Sequence, residues 1–300
     1  MSQLFRPKLY SAPESEEEAS RLLLEHGERA RLIAGGTGIY EVAHRGLLSD
    51  VEVLIDISRL NLNYVKKDSS GFLVIGSCTT MSELLSSKEI SNEKQLSAII
   101  DALHAIQPTQ VKNVATVGGA ICTALPFFDL PVALLCLSAK VVVATKGDIR
   151  PLEDFIQGYF AVNLSSGEFV REITLEIEPS KKKASAFNKF ALTGDDWAIM
   201  NSAVSASIDD EEKIESLKIS LGGGVGEKPL LAENTSRALK GVKFSDEAQL
   251  KETIDSNLGR DIEPVTDIRA SSEYRMKIAK VICRRTVLEA CFRAAKNMEE

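Results

Sequence analysis

Three glycine clusters constrain this 300-residue chain more than any other feature: Gly35-Gly36-x-Gly38, Gly118-Gly119 and Gly222-Gly223-Gly224-x-Gly226. Adjacent glycines permit positive φ and let other groups approach the backbone closely. They mark either tight internal turns or cradles whose backbone N–H groups point at an anion such as a pyrophosphate. The flanking residues separate these uses. The first cluster follows the short apolar run "RLIA" and opens the helical pattern "GIYEVAHRG". A second apolar run, "VEVLIDI" at 51–57, follows, and together the three read as a compact βαβ-like unit. Asp56 lies 20 residues after Gly36, where a dinucleotide-binding fold would hold a ribose-binding acid. Against that reading, Glu41 stands where the third glycine of G-x-G-x-x-G belongs, and alternating strands and helices do not continue downstream. A Rossmann domain is therefore disfavoured.

The third cluster runs into Glu227, Lys228 and Pro229 with no immediate helix, and reads as a turn. The second lies in "TVGGAICTALPFFD", residues 116–129. Alone, it reads as an apolar strand and a glycine turn, with Pro126 ending the run. Paired with the first cluster, about eighty residues upstream, it offers a second loop whose backbone N–H groups face the same pyrophosphate from another subdomain. Thr37, Thr116 and Thr123 add hydroxyl donors. Asp129 is suited to accept from a ribityl or ribose hydroxyl, or to cap the helix "LPVALLCL".

Elsewhere the pattern is mixed. "SAPESEEEASRLLLEHG" (11–27) has the acids and terminal glycine of a helix. "NYVKKDSSGFLVIGS" reads as a hairpin around Asp68 to Gly71, and "EFVREITLEIEP" (168–179) alternates like a half-exposed strand. "TTMSELLSS" and "NEKQLSAIIDALHAI" have helical spacing, with Pro108 stopping the second. A boundary is expected at 179–183, in "PSKKK", dividing the chain into domains 1–179 and 184–300. Beyond it, strands ("SAFNKFAL", "AIMNSAVSASID", "KIESLKISLGG") precede helices, including the long "SEYRMKIAKVICRRTVLEACFRAAK", an α+β arrangement.

Composition narrows the chemistry. A net charge of −7 without a basic stripe argues against nucleic acid as a partner. Five cysteines without CxxC or a Cys/His cluster provide no metal site, and no Ser/His/Asp or Cys/His arrangement provides a catalytic residue. No run has the length of a membrane span and no signal peptide is recognisable, so the cytoplasm is the expected compartment. His104 and the Arg284-Arg285 pair read as ordinary helix positions.

Several stretches in order along the chain resemble the FAD-binding medium subunit of the molybdenum hydroxylases, the family of xanthine dehydrogenase and carbon monoxide dehydrogenase. "IAGGTG" is similar to that family's first flavin loop, and "QVKNVATVGGAICTALPFFDLPVALLCLSAKV" to its second. "FNKFALTGDDWAIMNSAVSASID" and "SEYRMKIAKVICRRTVLEA" resemble its C-terminal domain. The resemblance implies an α+β fold: a two-subdomain FAD-binding domain of the vanillyl-alcohol-oxidase (PCMH) type, then a small α+β C-terminal domain. It implies FAD as cofactor, a large molybdopterin subunit and a small [2Fe–2S] subunit as partners, and NAD or another carrier as electron acceptor. By position it implies cofactor contacts at Ala34, Gly35, Gly36, Thr37 and Gly38, at Thr116, Val117, Gly118, Gly119 and Thr123, and at Asp129 and Lys189. Trp197, Phe190 and Phe127 are candidates to stack on the isoalloxazine, with core packing the more ordinary use of such residues.

The chain departs from the family pattern at Ala120, at Leu125, Phe127 and Phe128, and at Leu192-Thr193, each replacing a polar group by a less polar one. Those changes motivate a second reading, a scaffold subunit of the same fold with a degenerate flavin site.

Overall fold

The structure, a computed structural model, describes residues 5–178, 180 and 182–299. Its first helix, Glu16–His26, begins where Ser15 accepts the backbone N–H of Glu18 and three acids meet the positive end of the dipole. It ends at Gly27, with φ +54°. The strands Leu9–Ser11, Ala30–Ile33 and Val53–Asp56 form a parallel sheet with Val53–Asp56 in the middle. The helix Thr37–His44 crosses between the second and third, as a parallel connection requires. The βαβ unit is therefore present, with the first glycine cluster at the strand-to-helix junction.

The chain then builds a five-stranded sheet in the order Val65–Lys67, Phe72–Gly76, Val170–Glu176, Lys140–Val143 and Ile149–Pro151, antiparallel throughout. The expected hairpin turns at Asp68 to Gly71, where Asp68 accepts from the N–H groups of Ser70 and Phe72 and Gly71 has φ +85°. Leu73, Ile75, Ile173 and Leu175 of this sheet face Leu103, Ile121, Leu130 and Leu134 in one buried core. Those partners come from the helices Ser97–Ala105, Val117–Thr123 and Asp129–Cys136. The last of these helices is buried along its whole length.

Ile156–Gly158 and Ala161–Val162 form a small two-stranded sheet, and a four-stranded antiparallel sheet runs in the order Lys183–Phe190, Met200–Ile208, Ile214–Gly222 and Leu230–Leu231. Helices Glu233–Leu239, Glu247–Asn257 and the 28-residue Ser272–Glu299 follow. The long helix contributes Ala279, Cys283, Val287, Ala290 and Ala294 to a core with Val204, Ile219 and Leu221. This sheet also packs on the preceding part of the chain: Phe187 and Ala203 share a cluster with Ala98 and Val132, and the Ala98 N–H donates to Ser185 Oγ at 2.8 Å. Of the boundary expected at 179–183, Pro179 and Lys181 lie outside the described residues. All five cysteines are free, and four are buried.

The third glycine cluster is a turn, and the structure supplies its reason. Gly223 and Gly224 have φ of +82° and +90°; a Cβ on Gly223 would meet the backbone of Ile199 and Met200, and the buried Arg275 guanidinium lies in the space the missing side chain of Gly224 leaves. Arg275 Nη1 donates to the carbonyls of Ile199 (3.2 Å) and Gly223, and Nη2 to Asp267 Oδ1 at 2.6 Å. Burial alone would raise the Asp267 carboxyl. The backbone N–H of Arg269 and the guanidinium groups of Arg269 and Arg275 overcome that and hold it at about 2.

Two predictions follow from these packed charges. A Cβ on Gly224 would lie 1.7 Å from Arg275 Nη1, so Gly224→Ala must displace a buried paired charge. The expected loss is on the order of 3 kcal/mol or more, read by urea unfolding. An unchanged midpoint would remove Arg275 from this role. Glu168, buried between Lys146 and Arg150 at 2.9 Å each, has its carboxyl pulled down to about 2 although desolvation opposes it. A depressed folded-state pKa stabilises above the unfolded value and ceases to do so as pH falls through the folded one. Stability should therefore drop between about pH 4.5 and 2, with a shallower slope in Glu168→Gln, as followed by thermal unfolding across that range.

Candidate functional site

The first glycine segment is a cluster of unused donors. Among the described residues, the backbone N–H groups of Gly35, Gly36, Thr37, Gly38 and Ile39 have no hydrogen-bond acceptor, while the Tyr40 N–H closes the first helical bond onto Gly36 O at 2.9 Å. Gly36 occupies the N-cap in the left-handed region, at φ +75°, and no acid stands in the first turn. Consecutive free N–H groups at the positive end of a helix favour an anion. Glu41, which counted against a phosphate here, pairs with Arg45 at 2.7 Å, one turn further along.

The second segment differs from the expectation in two ways. "VGGAICT" is a helix, Val117–Thr123, and not a strand with a turn. Thr116 caps it by accepting the Gly119 N–H at 3.1 Å, and Gly118 is needed because a Cβ there would lie 2.7 Å from the Cβ of Ser77. Its donors are already engaged. The N–H groups of Val117, Gly118 and Ala120 bond to the carbonyls of Thr79 (2.9 Å), Ser77 (2.8 Å) and Thr116 (3.0 Å). The segment thus offers close approach in place of free backbone donors. Gly119 is exposed, and Thr116 Oγ1 at 2.9 Å is the single atom a Cβ there would meet within 4 Å.

The two segments do come together. A Cβ on Gly35 would fall 1.6 Å from the Val114 carbonyl oxygen, and one on Gly38 would fall 2.3 Å from Thr123 Oγ1. Thr123 itself donates to Gly119 O at 2.7 Å. The protein's own packing thus requires Gly35, Gly38 and Gly118. Gly36 and Gly119 are the glycines of these loops that it leaves open. The Thr37 hydroxyl has no partner among the described residues. Ala34 packs against the small buried cluster that includes Ala19, Ile57 and Leu60.

Asp129 and Lys189 also meet, with Nζ 3.0 Å from Oδ2. Asn201 Nδ2 donates to the other carboxylate oxygen at 2.7 Å, and Lys189 also donates to Ala105 O at 3.3 Å. Desolvation pushes the Asp129 carboxyl up, against the pull of Lys189 and Asn201. The capping role considered for Asp129 does not hold. Phe128 is the N-cap residue, with no side-chain cap, and Asp129 is the first residue of the helix, its carboxylate turned to the sheet.

Of the three aromatic candidates, Phe127 and Trp197 stack on each other, with centroids 6.0 Å apart and planes at 6°. Phe190 goes elsewhere and packs edge-on against Tyr274. Tyr159 and Phe128 complete the cluster edge-on. Arg269 lies 3.8 Å above the Phe127 centroid and Arg45 lies 5.5 Å from that of Trp197. Sequence reasoning missed both arginines and Asn201. Arg269 carries a signal in "TDIRASSEYR", where Asp267 precedes the two arginines that it joins, at 2.9 Å to Arg269 and 2.6 Å to Arg275. The apolar departures at Leu125, Phe127 and Phe128 are used in packing, with Leu125 and Phe127 buried, while Leu192 is exposed.

The chemistry of this donor set fits a flavin dinucleotide. Five free N–H groups suit a diphosphate, the glycine at 119 leaves room beside it, and no acid without a partner faces the first turn. Comparison with known proteins agrees. Residues 3–175 match the family described as the FAD binding domain in molybdopterin dehydrogenase, and residues 185–290 the CO dehydrogenase flavoprotein C-terminal domain. The glyceraldehyde dehydrogenase medium chain of Sulfolobus acidocaldarius is 32% identical, over 91% of this chain and 94% of its own. The xanthine dehydrogenase FAD-binding subunit of Escherichia coli O157:H7 is 25% identical over 92% and 94%. A solved structure of reconstituted CO dehydrogenase from Oligotropha carboxidovorans superposes with a TM-score of 0.86 at 27% identity, covering 96% of this chain and 100% of that one. Matched in both halves and aligned with such relatives along nearly its whole length, the chain belongs to the FAD-binding medium subunits of the molybdenum hydroxylases, the flavoprotein oxidoreductase components of the xanthine and carbon monoxide dehydrogenase type.

Proposed function

We propose that this chain is the electron relay of a three-subunit molybdenum hydroxylase. In this reading a large molybdopterin subunit oxidises the substrate, a small subunit with [2Fe–2S] clusters carries the electrons, and this chain passes them to NAD or another acceptor. The observation that carries it is the run of free N–H groups from Gly35 to Ile39, set against the side-chain-free surface of Gly119. FAD, when bound, supplies the ability to take electrons singly and release them in pairs. The chain's own residues bind and orient. Gly35, Gly36, Thr37 and Gly38, following Ala34, donate to the diphosphate from one side. Gly119, flanked by Thr116 and Thr123, would form the opposite wall, with Val117 and Gly118 buried behind it as its support. Asp129 and Lys189 serve the site as a mutually neutralised pair that fixes the Phe127-Phe128 segment against the C-terminal sheet. In the Phe127-Trp197 stack Phe127 is buried under Arg269, so Trp197, the half-buried ring of the pair, is the one that would meet the isoalloxazine.

We assign residues 1–179 to the FAD-binding domain and 184–300 to the C-terminal domain. Support comes from two of the buried cores, one drawn from 73–175 and the other from 184–294. No helix among the described residues is long and apolar enough to cross a membrane, and the free thiols support a reducing compartment, the cytoplasm.

Gly119→Val tests the site. Its branched side chain stands where the cofactor must approach and its Cβ presses on the Thr116 cap hydroxyl at 2.9 Å, so flavin absorbance per chain should fall about tenfold or more while stability falls by no more than the loss of a cap, about 1 kcal/mol. Gly36→Val should also lose flavin, with a further cost of about 1–2 kcal/mol for a non-glycine residue at φ +75°. Full flavin occupancy in both variants would refute the two-loop site, and a colourless parent protein would refute the reading and favour the scaffold alternative. The relay role has its own test. Anaerobic stopped-flow at the flavin absorbance should record no reduction of the isolated chain by xanthine or an aldehyde, and rapid reduction by the proper substrate in the assembled complex. Bleaching of the chain alone would make it a self-contained flavoenzyme.

A further inference from the structure

The 28-residue C-terminal helix has a second seam that the core uses only in part: Ile278, Leu288 and Ala295 pack against it, while Val281, Arg285 and Phe292 are exposed. Ile278, Val281, Arg285, Leu288, Phe292 and Ala295 recur at spacings of three and four, the heptad pattern by which one helix seats another. The buried residues Ala279, Cys283, Val287, Ala290 and Ala294 define the helix's core side. The second seam is offset from it by about two residues, roughly half a helical turn. Val281 is 38% exposed and Phe292 56%, large fractions for apolar side chains on a helix that already has a core to pack against. Phe292 is held in place by an edge-to-face contact with Phe244 at 5.2 Å. Beside it lies an open hollow of about 430 Å³ lined by Arg285, Leu288, Glu289, Phe292, Arg293 and Lys296.

The charges around the hollow determine what fills it. Between positions 277 and 296 the helix carries Lys277, Lys280, Arg284, Arg285, Arg293 and Lys296 against one acid, Glu289, in a chain whose net charge is −7. That acid is already engaged, accepting from Arg293 at 2.5 Å and from Asn188 at 3.0 Å, while Arg293 also holds Asp101 at 2.6 Å. Lys277 pairs with Glu273. Lys280, Arg284, Arg285 and Lys296 have no ion pair among the described residues. A second copy of this chain would bring the same cations together and be repelled. An anionic bilayer calls for several apolar side chains free to insert, and this seam has Arg285 at its centre and its exposed aromatic pinned to Phe244.

We propose that this seam docks an acidic amphipathic helix of one of the partner subunits, its apolar stripe on Leu288 and Phe292 and its carboxylates beside Arg285 and Lys296. The proposal rests on the subunit assembly of the preceding section and places one contact of it on the face of the C-terminal helix away from its core. The test co-expresses the full chain with its large and small subunits, as the parent, as Phe292→Asp and as the double variant Arg285→Glu/Lys296→Glu. Assembly is measured by native mass spectrometry and sedimentation at low and high salt. The double variant, altered at exposed positions, should fold as the parent does, lose about tenfold or more in assembly at low salt, and approach the parent at high salt. Phe292→Asp should weaken assembly at either salt. Parent-like assembly in both variants overturns the proposal. So does a homodimer of the parent chain that Phe292→Asp dissolves, or binding of the parent to phosphatidylserine vesicles that the double variant loses. Flavin content of each isolated chain, expected to be unchanged, reports separately on the flavin site.

Discussion

One backbone contact organises the candidate site: the absent side chain of Gly35 against the carbonyl of Val114. At that separation no residue with a Cβ fits, so this approach of the two segments requires glycine at 35, as the approach to Thr123 requires it at 38. The contact joins the βαβ unit to the helices beneath the five-stranded sheet. It also sets the free N–H groups of the first segment beside the uncovered Gly119 of the second. The diphosphate geometry of the site thus depends on a close approach between two pieces of main chain, which side chains around it then hold.

Behind that junction stands a relay of charges with few loose ends. The turn at Gly223-Gly224 admits Arg275, Arg275 shares Asp267 with Arg269, and Arg269 rests on Phe127 of the second segment. A second tie runs from the same stretch through Asp129 to Lys189 and Asn201. Each charge in these two ties has an opposite partner, which is the condition under which a charge is tolerated away from water. The C-terminal sheet is thereby tied to the stretch that carries Phe127 and Asp129, directly downstream of the second glycine segment in the chain.

How legible this was depends on the range of the interaction. The βαβ unit, the hairpin at Asp68 to Gly71 and the long C-terminal helix follow from local periodicity and turn chemistry, and all are present. The first glycine segment was readable as an anion cradle because strand, glycines and helix are contiguous. "VGGAICT" was misread as a strand because glycines lower helix propensity. Tertiary contacts decide there: Thr116 caps the helix, and Ser77 packs where Gly118 lacks a side chain. The engagement of its N–H groups by Ser77 and Thr79, some forty residues earlier, has no local signature at all. For the same reason Arg45 and Arg269 could not be joined to Trp197 and Phe127 from sequence, since cation and ring come from separate elements.

The placement of the five cysteines bears on what this protein endures. Reduced flavins hand electrons to dioxygen, so a chain of this kind is exposed to peroxide of its own making. Attack by peroxide requires a thiolate within reach of solvent. Burial lifts Cys78 to about 11 and Cys122, Cys283 and Cys291 to about 12, and Cys136 is raised further still by the same cause. At neutral pH almost none of these sulfurs carries the charge that oxidation needs, and four of the five are closed off by the surrounding packing. The chain can thus keep its sulfur unoxidised beside a source of oxidant without disulfides, by withholding the reactive ionisation state.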